Sequence, residues 1–292
     1  MTKDKNAQGI LFMVLSMAAF ALADTLVKLS ASTLSPAQVL FYLNGGGLVL
    51  FAALAVARNE SLVHSRAFAP ILLLRYFSEV AGMAGMVLAL TYVPLSTVGA
   101  ITQAAPILVV VGAVMFLGEK VSWRRWTSIA FGFFGVLLIV QPGTAGFDLT
   151  ILWALLALVA LSIRDLTTRL TPQGMPSTTL ATYTMIAALP FAIAWVLYNG
   201  ESLFPAQTNW WIVLPMVGLG ALGYILLIAS LRLAEISAVT PFRYTRIIFL
   251  LVLGIVVFNE TPSVTMLVGA TLIIVSGMYL MWREQRLKKG KA

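Results

Sequence analysis

Ten stretches of this chain are apolar over about 20 residues each, the length a helix needs to cross the hydrocarbon core of a bilayer. They are residues 8–29, 36–57, 67–90, 94–116, 122–140, 149–170, 176–198, 210–232, 236–258 and 262–283, spans 1 to 10 in chain order. A spanning β-barrel would show strands of about ten residues with alternating character, and these runs are twice that length and do not alternate. Helices also satisfy their own backbone polar groups, as lipid demands. The expected fold is an all-α polytopic membrane protein, one transmembrane domain over residues 1–292 with no soluble domain.

Composition agrees. Hydrophobic residues make up 60% of the 292 and charged residues 10%, against roughly 45–50% and 25% in soluble domains. The chain has no Cys and one His, His64. Disulfides, thiolate metal sites, cysteine nucleophiles, histidine relays and multi-His metal centres are therefore excluded, and no metal or cofactor is implied. The net charge of +8 needs no nucleic-acid partner. With the N-terminus in the cytoplasm, 14 of the 19 Lys and Arg residues fall on cytoplasmic segments: Lys3, Lys5, Arg58, Arg66, Lys120, Arg124, Arg125, Arg169, Arg232, Arg283, Arg286, Lys288, Lys289 and Lys291. The opposite loops carry none, which is the positive-inside pattern. Both termini are expected in the cytoplasm. Span 1 resembles a signal peptide, with Lys3 and Lys5 ahead of it and Ala21-Leu22-Ala23 as a cleavage-like site. That reading is rejected because the residues just beyond it recur later in the chain.

The recurrence is an internal repeat. Residues 8–141 lie over 149–283 with an offset of 141. Asp24 then falls on Asp165, Lys28 on Arg169, Tyr42 on Tyr183, Leu90 on Leu231, Ser96 on Ser237, Val98 on Val239 and Glu119 on Glu260. Each half holds five spans. Five is odd, so the second half enters the membrane from the other side, which makes the repeat inverted. Inverted repeats build carriers whose site lies near the midplane between the halves.

These residues also resemble a family. Leu88-Ala89-Leu90-Thr91-Tyr92-Val93-Pro94-Leu95-Ser96, then Gln103-Ala104-Ala105-Pro106, then Leu117-Gly118-Glu119 are similar to the EamA module of the drug/metabolite transporter superfamily. The second half is similar but degenerate, with Ser230-Leu231-Arg232-Leu233-Ala234-Glu235-Ile236-Ser237-Ala238 and a closing Phe258-Asn259-Glu260, where the family often has Gly in place of Asn. The resemblance covers essentially the whole chain. It implies two inverted five-helix repeats and carriage of a small organic solute across the bacterial inner membrane. Arg75-x-x-x-Glu79-Val80 and Arg164-Asp165-Leu166-x-Thr168-Arg169 resemble a branch that includes proposed S-adenosylmethionine and riboflavin carriers.

Charges within spans are costly, about 2.5–3.5 kcal/mol each at helix centre, and mark candidate sites. Asp24 and Lys28 are four apart and share a helix face, as do Asp165 and Arg169. They read as ion pairs pinning helix ends, or as gating or coupling groups, and Arg164 joins that set. An ideal helix places Arg164 about 100° from Asp165, so the two are not expected to face one groove. Arg75 and Glu79 form a deeper pair, either self-neutralised or handling substrate or a proton. Arg243 and Arg246 lie about 60° apart near the middle of span 9. They have no acid within a turn, and their repeat equivalents are Thr102 and Ala105. Two guanidinium forks facing a central cavity suit a carboxylate or phosphate. The alternative is pairing with Glu79 or Asp165 across helices. Gln103, Tyr76, Tyr224, Tyr244 and Trp153 complete the candidate substrate-binding set, placed at similar depth.

The function expected is a secondary carrier of an anionic or zwitterionic, amino-acid-like metabolite, working by alternating access with proton or exchange coupling. A nucleotide-like or vitamin solute, S-adenosylmethionine or riboflavin, is the alternative. The other classes are a channel, which also uses repeats, and an intramembrane enzyme. For the enzyme, the sequence has neither H-E-x-x-H nor G-x-S-x-G, and no G-x-x-x-x-G-K-[ST] loop suggests a pump.

Overall fold

Every one of the ten apolar runs folds as helix, and no strand occurs among the described residues. The structure, a computed structural model, describes residues 3–63, 67–118, 122–143, 148–168, 170, 175–234 and 236–289. Eight spans are continuous: Lys3–Ser30, Pro36–Ala57, Pro70–Tyr92, Trp123–Val140, Ile151–Thr168, Ser177–Tyr198, Trp210–Leu233 and Val264–Lys289. All ten are long and apolar enough to cross a membrane.

The other two are broken. Span 4 consists of Leu95–Thr102 and Ala105–Leu117, and Gln103 and Ala104 sit in the break. Pro106 lacks the N–H that would reach the carbonyl of Thr102, so the α ladder fails there. Span 9 runs as Ile236–Val239, a 3₁₀ segment Thr240–Tyr244 containing Pro241, and Thr245–Phe258. Offset by 141, the two breaks fall at almost the same level of their repeats.

Helix ends follow local chemistry. Ser35 begins span 2 with a capping box: its hydroxyl accepts from the N–H of Gln38, and Gln38 Oε1 accepts from the N–H of Ser35 at 3.0 Å. Spans 4 and 9 end alike. Gly118 and Asn259, 141 apart, are both left-handed, with φ of 67° and 53°. A helix ending this way favours Gly and next Asn, so Asn259 is the natural replacement for the glycine of the first half.

Packing displays the repeat. Span 1 runs along span 8 and span 3 along span 6, while span 2 pairs with span 7, span 5 with span 10, and span 4 with span 9. Exchanging each span with its counterpart five places on turns 1–8 into 6–3 and returns the other pairs to themselves. The bundle is thus two inverted five-helix repeats about a pseudo-twofold axis. Small residues permit the close approaches. A Cβ on Gly85 would lie 3.0 Å from the carbonyl oxygen of Trp153 and the N of Ala157, and one on Gly46 would lie 2.6 Å from Val217.

Candidate functional site

The contact between spans 3 and 6 carries a charged network. Glu79 Oε1 accepts from Arg164 Nη1 at 2.9 Å, and Arg75 Nη2 lies 3.8 Å from Glu79 Oε2. The rest of the Arg164 guanidinium turns back to Asp165, with Nε and Nη2 at 2.9 and 2.8 Å from Oδ1. The sequence-based expectation that Arg164 and Asp165 would not share a groove is corrected here. The 100° separation holds for the Cβ directions, but the long arginine stem spans it. Arg75 donates from Nε to Thr168 Oγ1 at 2.9 Å and from Nη1 to Thr184 Oγ1 at 2.6 Å. The acid, the two arginines and the two hydroxyls thus tie together spans 3, 6 and 7. The network is not sealed, because the side chains of Arg164 and Asp165 remain 27% and 31% exposed.

Span 9 presents its two arginines differently. Arg246 Nη2 donates to Asp24 Oδ2 at 2.5 Å, and its guanidinium lies 5.5 Å from the centre of the Phe20 ring. Asp24 therefore pairs across to span 9 and not with Lys28, as its spacing had suggested. Lys28, one turn further on, is at the helix end. It donates to the last carbonyls of span 3, Val93 at 2.6 Å and Leu90 at 3.2 Å, and lies over the Phe258 ring at 5.4 Å. Arg243 sits in the 3₁₀ segment, half-buried and within electrostatic range of Asp165. Its guanidinium makes no hydrogen bond or ion pair among the described residues. Gln103 Nε2 donates to the carbonyl of Arg243 at 2.9 Å, joining the two helix breaks across the halves.

The remaining candidates are dispersed. Tyr76 and Tyr224 lie near Arg75, with their hydroxyls donating to backbone carbonyls of Ala67 at 3.2 Å and Ser177 at 3.1 Å. Tyr244 points away from the network toward span 10. Its buried hydroxyl has no partner among the described residues and rests against Gly277, where a Cβ would collide with it. Trp153 is 39% exposed. It is eleven residues before Arg164 on one helix, about 16 Å along the axis, so the equal depth expected from sequence does not hold. Arg169 and Glu119 lie outside the described residues.

Several contributors were not foreseen from sequence. Thr168 and Thr184 hold Arg75, and Phe20 underlies Arg246. Glu260, which the sequence marks as a boundary or gate group closing span 9, caps span 4 from the other half. Its carboxylate accepts from the N–H of Leu95 at 2.5 Å, the N–H of Ser96 at 3.0 Å and Ser96 Oγ at 2.7 Å. Gly254 makes the room, since a Cβ there would lie 2.5 Å from Glu260 Oε2. Only the spacing of Thr168, four residues after Arg164, offered a signal; the others are long-range contacts that one chain's periodicity does not encode.

These features define a polytopic helical membrane protein of two inverted halves, with broken helices meeting at a charged interior. The EamA-like transporter family matches residues 7–141 and again 148–282, and the chain belongs to that family. An S-adenosylmethionine uptake transporter of Rickettsia prowazekii is 24% identical over 97% of this chain and 95% of its own. A pseudopaline exporter of Pseudomonas aeruginosa is 25% identical over 99% and 100%. A riboflavin transporter of Brucella anthropi is 27% identical over 70% and 73%. A solved crystal structure shares the fold with a TM-score of 0.64 over 98% of this chain and 99% of that one, at 17% identity. The chain is a multi-pass bacterial membrane transporter of a small metabolite, not an enzyme.

Proposed function

We propose that this protein is a secondary carrier of the inner membrane, with both termini cytoplasmic, whose solute carries an α-amino-acid group. Arg243 receives the carboxylate and Asp165 the ammonium. The observation that supports this reading is the Arg243 guanidinium itself. It is held at a helix break without an ion pair among the described residues, within electrostatic range of the partly exposed Asp165 carboxylate. A fork of N–H donors at such a place suits a carboxylate in two-point contact. Alternating access follows from the inverted halves: rocking about the breaks in spans 4 and 9 presents the same site to either side.

S-adenosylmethionine is the second reading. It ends in the same amino-acid group, and relatives named for its uptake align with this chain almost end to end. Riboflavin has neither a carboxylate nor an amino-acid end to engage Arg243. Uptake of labelled methionine and S-adenosylmethionine into proteoliposomes, with and without unlabelled amino acid inside, tests the reading. The expected result is saturable uptake, accelerated by internal amino acid and inhibited by methionine but not by methionine methyl ester. Equal inhibition by the ester would refute carboxylate recognition.

A further inference from the structure

The ion pairs fix a charge balance in the interior. Among the described residues, the spans hold four arginines at least three residues in from either end, Arg75, Arg164, Arg243 and Arg246, and three such acids, Asp24, Glu79 and Asp165. Lys28 stays apart, on backbone carbonyls at the helix end with Glu260 in electrostatic range. Asp24 is taken by Arg246, Glu79 by Arg75 and Arg164, and Asp165 by Arg164. One positive charge is left over, that of Arg243.

An uncompensated charge in a low-dielectric interior selects what comes beside it. A carboxylate cancels the excess. An ammonium group meets Asp165, which Arg164 already shares. A second cationic group on the solute meets none of these three acids free of an arginine, and it adds to the excess.

We propose that the site is charge-selective: it prefers amino-acid-type solutes of zero or negative net charge over otherwise identical solutes of net positive charge. This rests on the reading that Arg243 binds the carboxylate. It names a preference among adenosylated amino acids, with the thioether bound better than the sulfonium. S-adenosylhomocysteine is electrically neutral as a zwitterion, and S-adenosylmethionine differs from it by one methyl group and one positive charge. Methionine and S-methylmethionine form the same contrast without the nucleoside. Two unit charges about 7 Å apart at an effective dielectric of about 20 repel enough to change affinity about 50-fold, and partial exposure of the site lowers this to an expected tenfold.

The test is competitive binding of these four compounds to the full-length protein in lipid nanodiscs, read by ligand-induced thermal stabilisation. Wild type is expected to bind the neutral member of each pair at least tenfold more tightly. Arg243→Gln removes the excess charge and should weaken all binding while abolishing the preference. A wild-type ratio within threefold, a preference for the sulfonium, or a preference that Arg243→Gln retains would overturn the charge selectivity alone. Failure of all four to bind would overturn the amino-acid reading itself, and this inference with it.

Discussion

Arg243 and Arg246 lie one turn apart on the same span, yet their surroundings predict opposite phenotypes. Arg246 is committed to Asp24, and removing one partner of a buried pair strands the other. Arg246→Met should lower unfolding stability by about 3–5 kcal/mol, and adding Asp24→Asn should recover most of it. Tryptophan fluorescence during thermal unfolding in detergent would show both effects. Tyr244→Phe gives a further prediction at this scale. Its hydroxyl is buried without a partner among the described residues, so the change should be neutral or stabilising by about 1–2 kcal/mol, and transport should persist. The sequence pointed to the charges within the spans but not to their partners. Asp24 and Lys28 satisfy the spacing rule for a helical pair, whereas tertiary packing gives Asp24 to span 9 and sends Lys28 to the carbonyl end of span 3. Spacing along one helix constrains direction only, and long basic side chains reach well beyond it.

The individual spans were nearly all legible, because each apolar run had to be long enough to cross the bilayer and was punctuated by Pro, Gly or polar residues. The break in span 4 was legible from Pro106. The matching break in span 9 is marked by Pro241 in the same way, but the expectation from sequence passed over it and treated the span as one continuous helix. The paired left-handed helix ends show how a degenerate motif keeps its physics. Asn259→Gly should preserve stability, while Asn259→Val should cost about 1–2 kcal/mol for forcing a branched residue into that conformation, measurable by the same unfolding assay. The neighbouring residue, Glu260, is a proposed gate group. It binds the first turn of span 4 in the opposite half. Glu260→Gln weakens that cap, with a cost of about 1 kcal/mol. The absence of native cysteine allows a direct readout: a cysteine at Thr102 should react faster with a membrane-impermeant thiol reagent from the Glu260 side in the Gln variant. An unchanged rate would remove Glu260 from the gating account.

At the scale of the whole molecule, the inverted duplication explains why a chain of ten hydrophobic helices keeps charges at its centre. Asp24 and Asp165, equivalent in the repeat, both come within reach of span 9, Asp24 by an ion pair and Asp165 by electrostatic range. That span supplies an arginine to each neighbourhood, bonded to Asp24 and left beside Asp165. The repeat itself was legible from the offset of 141. The asymmetry at its centre was half legible: Thr102 and Ala105 in span 4 showed that the scaffold does not require the arginine pair, but only the fold separates the bonded one from the other. Solute counter-flow in proteoliposomes, comparing wild type with Arg243→Gln, tests the central claim most directly. With labelled S-adenosylhomocysteine, S-adenosylmethionine and methionine as probes, wild type should show saturable counter-flow of at least one, and Arg243→Gln should lose it while unfolding at a temperature within a few degrees of wild type. Undiminished counter-flow by that variant would show that the solute is held elsewhere.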